Sequence, residues 1–336
     1  MADKTNIEWT DCTWNAIRGC TRVSGGCRNC YAENMAARFS DPGQWGHGLA
    51  TRKPNRWTGK VVLDEAALLK PLRWKKPRKI FVTSIGDPFH PDVPDEWLDR
   101  LFAVMALCPQ HTFQLLTKRP ERMWEYLNEY QTPIRICSAT VDLATGDLRW
   151  NNPAGTDDWW PLPNLWLGVS VENQEQADQR IPHLLDTTAA IRFLSCEPLL
   201  GQINFEGRFL NHPDPRVHIN WLERLDWVIV GGESGPAARP MHPDWVRELL
   251  DQCNQAQTPI MFKQWGEWAP GETVTRQTGW MPTASWFNDE WRFSEENLAT
   301  TDNHIDDEPD LYRVGKKAAG RLLDGIEHNG YPEAGK

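Results

Sequence analysis

No stretch of the chain approaches the 18 unbroken apolar residues of a membrane span; the longest candidate is LFAVMALC at 101–108. The opening MADKTNIEW has no apolar h-region, so no secretion signal is read here and the expected setting is cytoplasmic. Basic residues are in deficit: Lys+Arg 36 against Asp+Glu 46, a formal charge of −10. That excludes a basic nucleic-acid coat or a polybasic membrane anchor and leaves room for a local basic patch. Disorder, collagen and coiled coil are excluded by 40% hydrophobic and 24% charged residues. Tyr (5) and Phe (11) together are fewer than Trp (19), an unusual supply of large flat side chains for packing or stacking. With 336 residues the chain suits one large α/β domain or two ordinary ones.

What is present is an alternation. Apolar, β-branched runs at 80–85, 113–117, 165–171, 191–196, 227–230 and 260–262 predict strands. Helical spacing follows at 94–107, from Pro120, at 174–185 and at 243–256. Residues 14–19 read as a further strand and 31–39 as the helix behind it, which makes about seven strands. Strands alternating with helices imply βαβ units and a parallel sheet, here a partial (β/α) TIM-type barrel of about six to seven strands. The stretches at about 138–163, with Trp150, Trp159 and Trp160, and at about 201–224 read as insertions. The expected layout is a partial barrel over 1–270 and an appendage over 271–336, closed by a basic helix around Val314 to Leu323.

Of eight cysteines, three crowd together in Cys20-TRVSGG-Cys27-RN-Cys30. Cys12, Cys108, Cys137, Cys196 and Cys253 are scattered. Without a secretory signal the thiols stay reduced, so clustering suggests a metal before a disulfide. Thiolates favour zinc, copper(I) or iron–sulfur clusters, and Gly25 and Gly26 let the loop curl. A structural zinc normally closes with four protein ligands, for which Cys12 and His47 are the spare candidates. A four-iron cluster on three cysteines instead leaves one iron open. The iron–sulfur reading leads, with zinc and plain reduced thiols as alternatives.

Parallel α/β folds place chemistry at the C-terminal ends of strands. Here those positions hold Cys20, Ser84, Asp87, Lys118, Ser170, Glu172, Glu197, Gly232, Glu233, Lys263 and Gln264. So many polar groups at strand ends predict a shared polar site.

The cysteine spacing, the loop before a helix and the parallel α/β pattern resemble radical S-adenosylmethionine (SAM) enzymes, with a longer first gap than their common C-x3-C-x2-C. More closely, the chain resembles a phage-associated three-cysteine-motif family of unknown function. The matching stretches are IEWTDCTWN (7–15), GCTRVSGGCRNCYAE (19–33), LLTKRPER (115–122), WLGVSVEN (166–173), SCEPLLG (195–201), VIVGGESGPAARPM (228–241), FKQWGEW (262–268) and VGKKAAGRLLDG (314–325). Cys30-Tyr31 and Asp87-Pro88-Phe89-His90-Pro91 are similar to spore photoproduct lyase, a DNA-repair branch of the radical SAM group. The resemblance implies a bacterial cell or a phage-infected host, a [4Fe–4S] cluster held by Cys20, Cys27 and Cys30, and SAM on the open iron. It also implies reductive cleavage of SAM to a 5′-deoxyadenosyl radical, hydrogen abstraction from a substrate, and an electron donor such as a flavodoxin or ferredoxin.

SAM offers an ammonium, a carboxylate, ribose hydroxyls and adenine. Ser84, Asp87, Ser170, Glu172, Glu197, Gly232 and Glu233 are the expected contacts, with Lys118 pairing the carboxylate. Gly231-Gly232-Glu233 resembles the GGE motif that holds the SAM ammonium in those enzymes but follows a late strand, whereas Asp87 follows the second. A plain reading of the two glycines is a tight turn needing positive φ. Cys196 is a candidate hydrogen-atom donor and Tyr31 a candidate radical or cluster neighbour, with core packing as the ordinary reading of both. His90 is a weaker acid/base candidate.

For the substrate, the Trp excess and Arg313, Lys316, Lys317 and Arg321 favour a nucleic-acid base or nucleotide, with DNA modification or repair as the expected activity; the acidic total argues the other way. A small metabolite, a peptide or a partner protein are the alternatives. The competing classes are a non-catalytic zinc module that binds nucleic acid or a partner protein, and an iron–sulfur protein that does not use SAM.

Overall fold

The computed structural model describes residues 5–144, 159–210, 214, 217–274, 279–298 and 310–332. Of the insertion expected at 138–163, residues 145–158, Trp150 among them, lie outside this set.

Seven strands form one sheet: β1 (Cys12–Trp14), β2 (Lys79–Val82), β3 (Thr112–Thr117), β4 (Leu165–Ser170), β5 (Ile191–Cys196), β6 (Trp227–Gly231) and β7 (Ile260–Gln264). Their order in space is their order in the chain. The β1–β2, β2–β3, β3–β4 and β6–β7 pairs are parallel, and the sheet is that of the expected partial β/α barrel. β4 and β6 are buried at every position, as strands covered on both faces must be.

The chain forms two compact units. The first comprises Met1–Ser170, Gln179–Phe193 and Arg208–Val217; the second comprises Val171–Asp178, Leu194–Gly207 and His218–Lys336.

In the first unit, α1 (Tyr31–Arg38) follows the cysteine loop, α2 (Asp95–Ala106) joins β2 to β3, and α3 (Pro120–Asn128) leaves β3. α2 starts after Pro94 with Asp95 and Glu96 in its first turn, where carboxylates meet the positive helix end. It buries Leu98, Leu101, Phe102 and Met105. A helix the sequence reading missed, α4 (Thr132–Leu143), runs into the expected insertion and covers Ile136 and Thr140. The strand expected at 14–19 breaks in two. Cys12–Trp14 joins the sheet, while Ile17–Arg18 leaves it to pair antiparallel with Val62–Leu63. The break comes at Asn15, whose Oδ1 accepts from Ser84 Oγ (3.1 Å) and the Ile85 N–H (3.2 Å).

α5 (Gln174–Asp186) links β4 to β5, and in the second unit α6 (Pro243–Ala256) links β6 to β7. His242 Nδ1 caps α6 by accepting from the Asp244 N–H (3.1 Å), and Gln257 in the left-handed region (φ 58°) ends it. An antiparallel hairpin of β8 (Trp280–Phe287) and β9 (Glu290–Asn297) turns at Asn288-Asp289, both at positive φ (49° and 61°), as a two-residue hairpin turn requires. The basic helix expected over Val314–Leu323 contracts to Lys316–Ala319, because Gly315 (φ 85°) and Gly320 (φ 66°) bracket it.

Part of the tryptophan excess goes to packing. Trp14, Trp221, Trp227 and Trp265 are fully buried. Trp14 donates its indole N–H to Ala67 O, Trp227 to Gly330 O, Trp265 to Leu322 O and Trp268 to Ala238 O, each at 2.8 Å. A buried indole needs such a partner, so each ring holds a backbone carbonyl as well as filling volume. The surplus that suggested base stacking is to this extent structural.

Within the first unit, Gly168 in β4 lies under the Phe193 ring; a Cβ there would stand 2.5 Å from Cζ. Gly168→Ala is therefore expected to cost about 1–3 kcal/mol in denaturant unfolding, and Phe193→Leu added to it should recover part of the loss. Equal stability of wild type and Gly168→Ala would show that the ring has room to move.

Candidate functional site

The cysteine loop starts where β1 and β2 end. Gly19 (φ 97°) donates its N–H to Ile85 O at 3.2 Å and bridges Gly86 in parallel. A Cβ on Gly86 would stand 3.0 Å from Gly19 O, so both positions exclude side chains to let the loop cross the strand ends. Gly25–Cys27 forms a 3-10 turn in which Cys27 N–H bonds Ser24 O at 3.0 Å. Cys30 then caps α1, and Asn34 N–H bonds its carbonyl at 3.2 Å.

Each sulfur has a polar hydrogen nearby. Arg119 Nη1 donates to Cys20 Sγ at 3.5 Å, Ser24 Oγ lies 4.0 Å from Cys27 Sγ, and the N–H groups of Ala32 and Glu33 at the start of α1 act on Cys30. Burial pushes the Cys20 thiol up to about 12, with Asp87 adding to the rise and Arg119 opposing it. Burial also raises Cys30, against the pull of the Glu33 and Ala32 N–H groups.

The loop is held by a buried ion pair. Asp87 and Arg119 are both buried, with Arg119 Nη1 at 2.8 Å from Asp87 Oδ2. Asp87 Oδ1 also accepts from Thr117 Oγ1 (2.8 Å) and the Phe89 N–H (3.0 Å), and Oδ2 from the Lys118 N–H (3.2 Å). Arg119 Nη2 donates to Thr21 O (3.0 Å) and Thr21 Oγ1 (2.8 Å). His90 Nδ1 accepts from the Asp92 N–H at 3.2 Å, which places its proton on Nε2, 3.0 Å from Thr21 Oγ1. Burial and then the Arg119 charge lower the His90 pKa, so the ring is neutral. On the other side of the loop, Arg22 forks onto the buried Glu33, which also accepts from the Trp57 N–H at 2.8 Å.

Arg119 is the residue that sequence reading missed; it stands beside the singled-out Lys118 and just before the helix-opening Pro120. Of the expected cofactor contacts, Asp87 is matched by four donors and Ser84 is used internally: its Oγ donates to Asn15 and its carbonyl accepts Tyr31 OH at 2.5 Å. The Tyr31 ring itself is exposed. Lys118 contributes its backbone to Asp87, and the Ser170 carbonyl accepts Arg180 Nη1 at 2.7 Å. These residues and the three cysteines belong to the first unit.

Glu172, Cys196, Glu197, Gly232 and Glu233 belong to the second. There Lys263 Nζ pairs with Glu197 Oε1 at 2.7 Å, and Ser195 Oγ donates to Glu197 Oε2 at 3.3 Å. Glu233 receives the Arg239 fork, Nη2 at 2.8 Å and Nε at 3.0 Å, plus the Arg239 N–H at 2.8 Å. Gln264 Nε2 donates to Ser234 Oγ at 3.2 Å. Gly231 and Gly232 are not at positive φ; a Cβ on Gly232 would stand 1.8 Å from the Trp265 carbonyl oxygen, and one on Gly231 2.9 Å from Glu197 Oε1. Glu172 is buried. Cys196 is wholly buried, and burial, then the neighbouring Cys253, push its thiol well up.

Among the described residues no group of three His, Cys, Asp or Glu side chains is gathered as metal ligands. The donor set nevertheless fits an iron–sulfur cluster: three thiols on one tight loop, each with a polar hydrogen that would share the charge of a bound sulfur. Cys12 lies at the first position of β1, one strand length from the loop, its sulfur turned to Lys79 O at 4.0 Å. His47 faces Ser40 O at 3.0 Å.

Because Asp87 raises the Cys20 pKa, Asp87→Asn is expected to lower it and to speed iodoacetamide labelling of Cys20 in the metal-free chain at pH 8. The gain should be several-fold, since one pKa unit is about tenfold in thiolate. Peptide mass mapping reads it out; an unchanged or slower rate would contradict the assigned electrostatics.

No curated protein and no solved structure matches the chain. A family model described as a protein of unknown function (DUF5131) matches residues 4–332, nearly the whole chain. The chain therefore belongs to the DUF5131 family of proteins of unknown function.

Proposed function

We propose that this protein is a radical SAM-like [4Fe–4S] enzyme acting by hydrogen abstraction on a nucleic-acid base or nucleotide. The observation that carries the reading is the Cys20, Cys27 and Cys30 loop, three closely spaced thiols with a polar group beside each sulfur. Cys20, Cys27 and Cys30 would hold the cluster. Bound there with SAM, it would supply the one electron that splits the sulfonium C–S bond and yields the 5′-deoxyadenosyl radical.

The residues of the chain have separate tasks in this scheme. Arg119 holds Cys20 and Thr21 in place and offsets negative charge at the loop. Asp87 fixes Arg119, which makes it a positioning residue rather than a ligand for the SAM ammonium. The helix N–H groups of Ala32 and Glu33 favour the deprotonated, ligating form of Cys30. A flavodoxin or ferredoxin would serve as electron donor.

Anaerobic reconstitution with iron and sulfide should give a brown protein that, with dithionite, converts SAM to 5′-deoxyadenosine. Cys20→Ala, Cys27→Ala and Cys30→Ala should each abolish the product, and Arg119→Gln should weaken cluster retention by about 10–100-fold. A reconstituted brown protein that leaves SAM intact would point instead to an iron–sulfur protein without SAM chemistry.

A further inference from the structure

The acidic chain carries two basic segments: a run at 70–79, with six Lys or Arg and no acid just ahead of β2, and a longer one around the cysteine loop. Residues 18–60 hold eight Lys or Arg against Glu33 and Asp41, a local charge of +6 within a total of −10. Neither acid is free to neutralise a neighbour: Glu33 is buried under Arg22, and Asp41 pairs with Arg52 at 2.9 Å.

These charges share a surface. Ala50–Thr51 and Arg56–Trp57 form a short antiparallel hairpin tied to α1. Arg52 Nε and Nη2 donate to Ala37 O and Arg38 O, both at 2.8 Å, Asn55 Nδ2 donates to Asn34 Oδ1 at 2.9 Å, and Trp57 N–H reaches Glu33. Ala36, Ala37, Leu49 and Ala50 pack between the two elements. What remains outside is one helical stripe, Tyr31, Asn34, Met35 and Arg38, beside the hairpin tip with Lys53 and Arg56. Arg28, between Cys27 and Cys30, and Lys60 are exposed as well. No carboxylate among the described residues pairs with Arg28, Arg38, Lys53, Arg56 or Lys60.

We propose that this face, α1 with the 50–57 hairpin, binds the phosphate backbone of a nucleic-acid strand beside the cysteine loop. The proposal rests on the nucleic-acid substrate class given above and on no property of the cluster. Unpaired Arg and Lys supply phosphate contacts, the Asn34 and Asn55 amides add hydrogen bonds, and the exposed Tyr31 ring offers a stacking face. An acidic protein is the poorer fit, because among the described residues only Val23, Tyr31 and Met35 are large apolar groups exposed near the loop, too few for the apolar centre of a protein interface. The terminal basic residues are less available: Arg313 donates to Pro236 O at 2.5 Å, and Arg321 pairs with Asn329.

The test is fluorescence anisotropy of the full chain with labelled single-stranded DNA, duplex DNA and RNA between 25 and 200 mM NaCl. Three or four phosphate contacts give a log–log salt slope of roughly −2 to −4. Lys53→Glu with Arg56→Glu is expected to weaken binding at least tenfold and flatten the slope, and Lys53→Gln with Arg56→Gln to give an intermediate loss. Lys75→Glu with Lys76→Glu, exposed positions ahead of β2, should change nothing, and thermal melts check that every variant is folded. The proposal is overturned if the chain binds none of the probes at 25 mM NaCl, or if folded hairpin variants bind as wild type does. It is equally overturned if those variants keep nucleic-acid affinity and lose only reduction by a flavodoxin-type donor, which would make the face a protein-docking site. Binding needs no cluster and SAM cleavage no nucleic acid, so the failure of either leaves the other test readable.

Discussion

The buried Asp87–Arg119 pair is the constraint on which the cysteine loop depends. A carboxylate and a guanidinium out of water are stable only when paired and hydrogen-bonded on their remaining positions. Both conditions are met: Thr117, Phe89 and Lys118 complete Asp87, while Thr21 and Cys20 complete Arg119. Because Asp87 follows β2 and Arg119 follows β3, their attraction fixes the loop after β1 to the ends of the next two strands. One arginine thereby places a sulfur and supplies compensating charge beside it.

The same device recurs at the late strands. Glu233, which by resemblance would meet the SAM ammonium, receives the Arg239 fork, and Glu197 receives Lys263. Asp87, Glu197 and Glu233, three of the carboxylates that read as ligand contacts, thus have cationic partners inside their own units. Their charges serve first to order the strand-end loops, and the loop cysteines remain the group whose chemistry that ordering does not use up.

The alternation of strands and helices was legible because fully covered strands must be continuously apolar, and β5 and α6 have the bounds that their patterns predict. α4 and the Asn288-Asp289 hairpin were not legible: Thr132-Pro133 hid a helix start, and β9 exposes most of its residues and so carries no apolar period. The cysteine loop was legible from spacing alone. Arg119 was not, since its role arises from an encounter with Asp87 more than thirty positions away. Nor does sequence distinguish a tryptophan that stacks a ligand from one that holds a backbone carbonyl.

The most direct test of the central claim is metal and sulfide analysis of the anaerobically reconstituted chain, combined with electron paramagnetic resonance of its reduced form with and without SAM. The account expects about four irons and four sulfides per chain, the composition of the cube. It also expects a signal that changes when SAM is added. One zinc and no iron per chain after careful anaerobic work would contradict it.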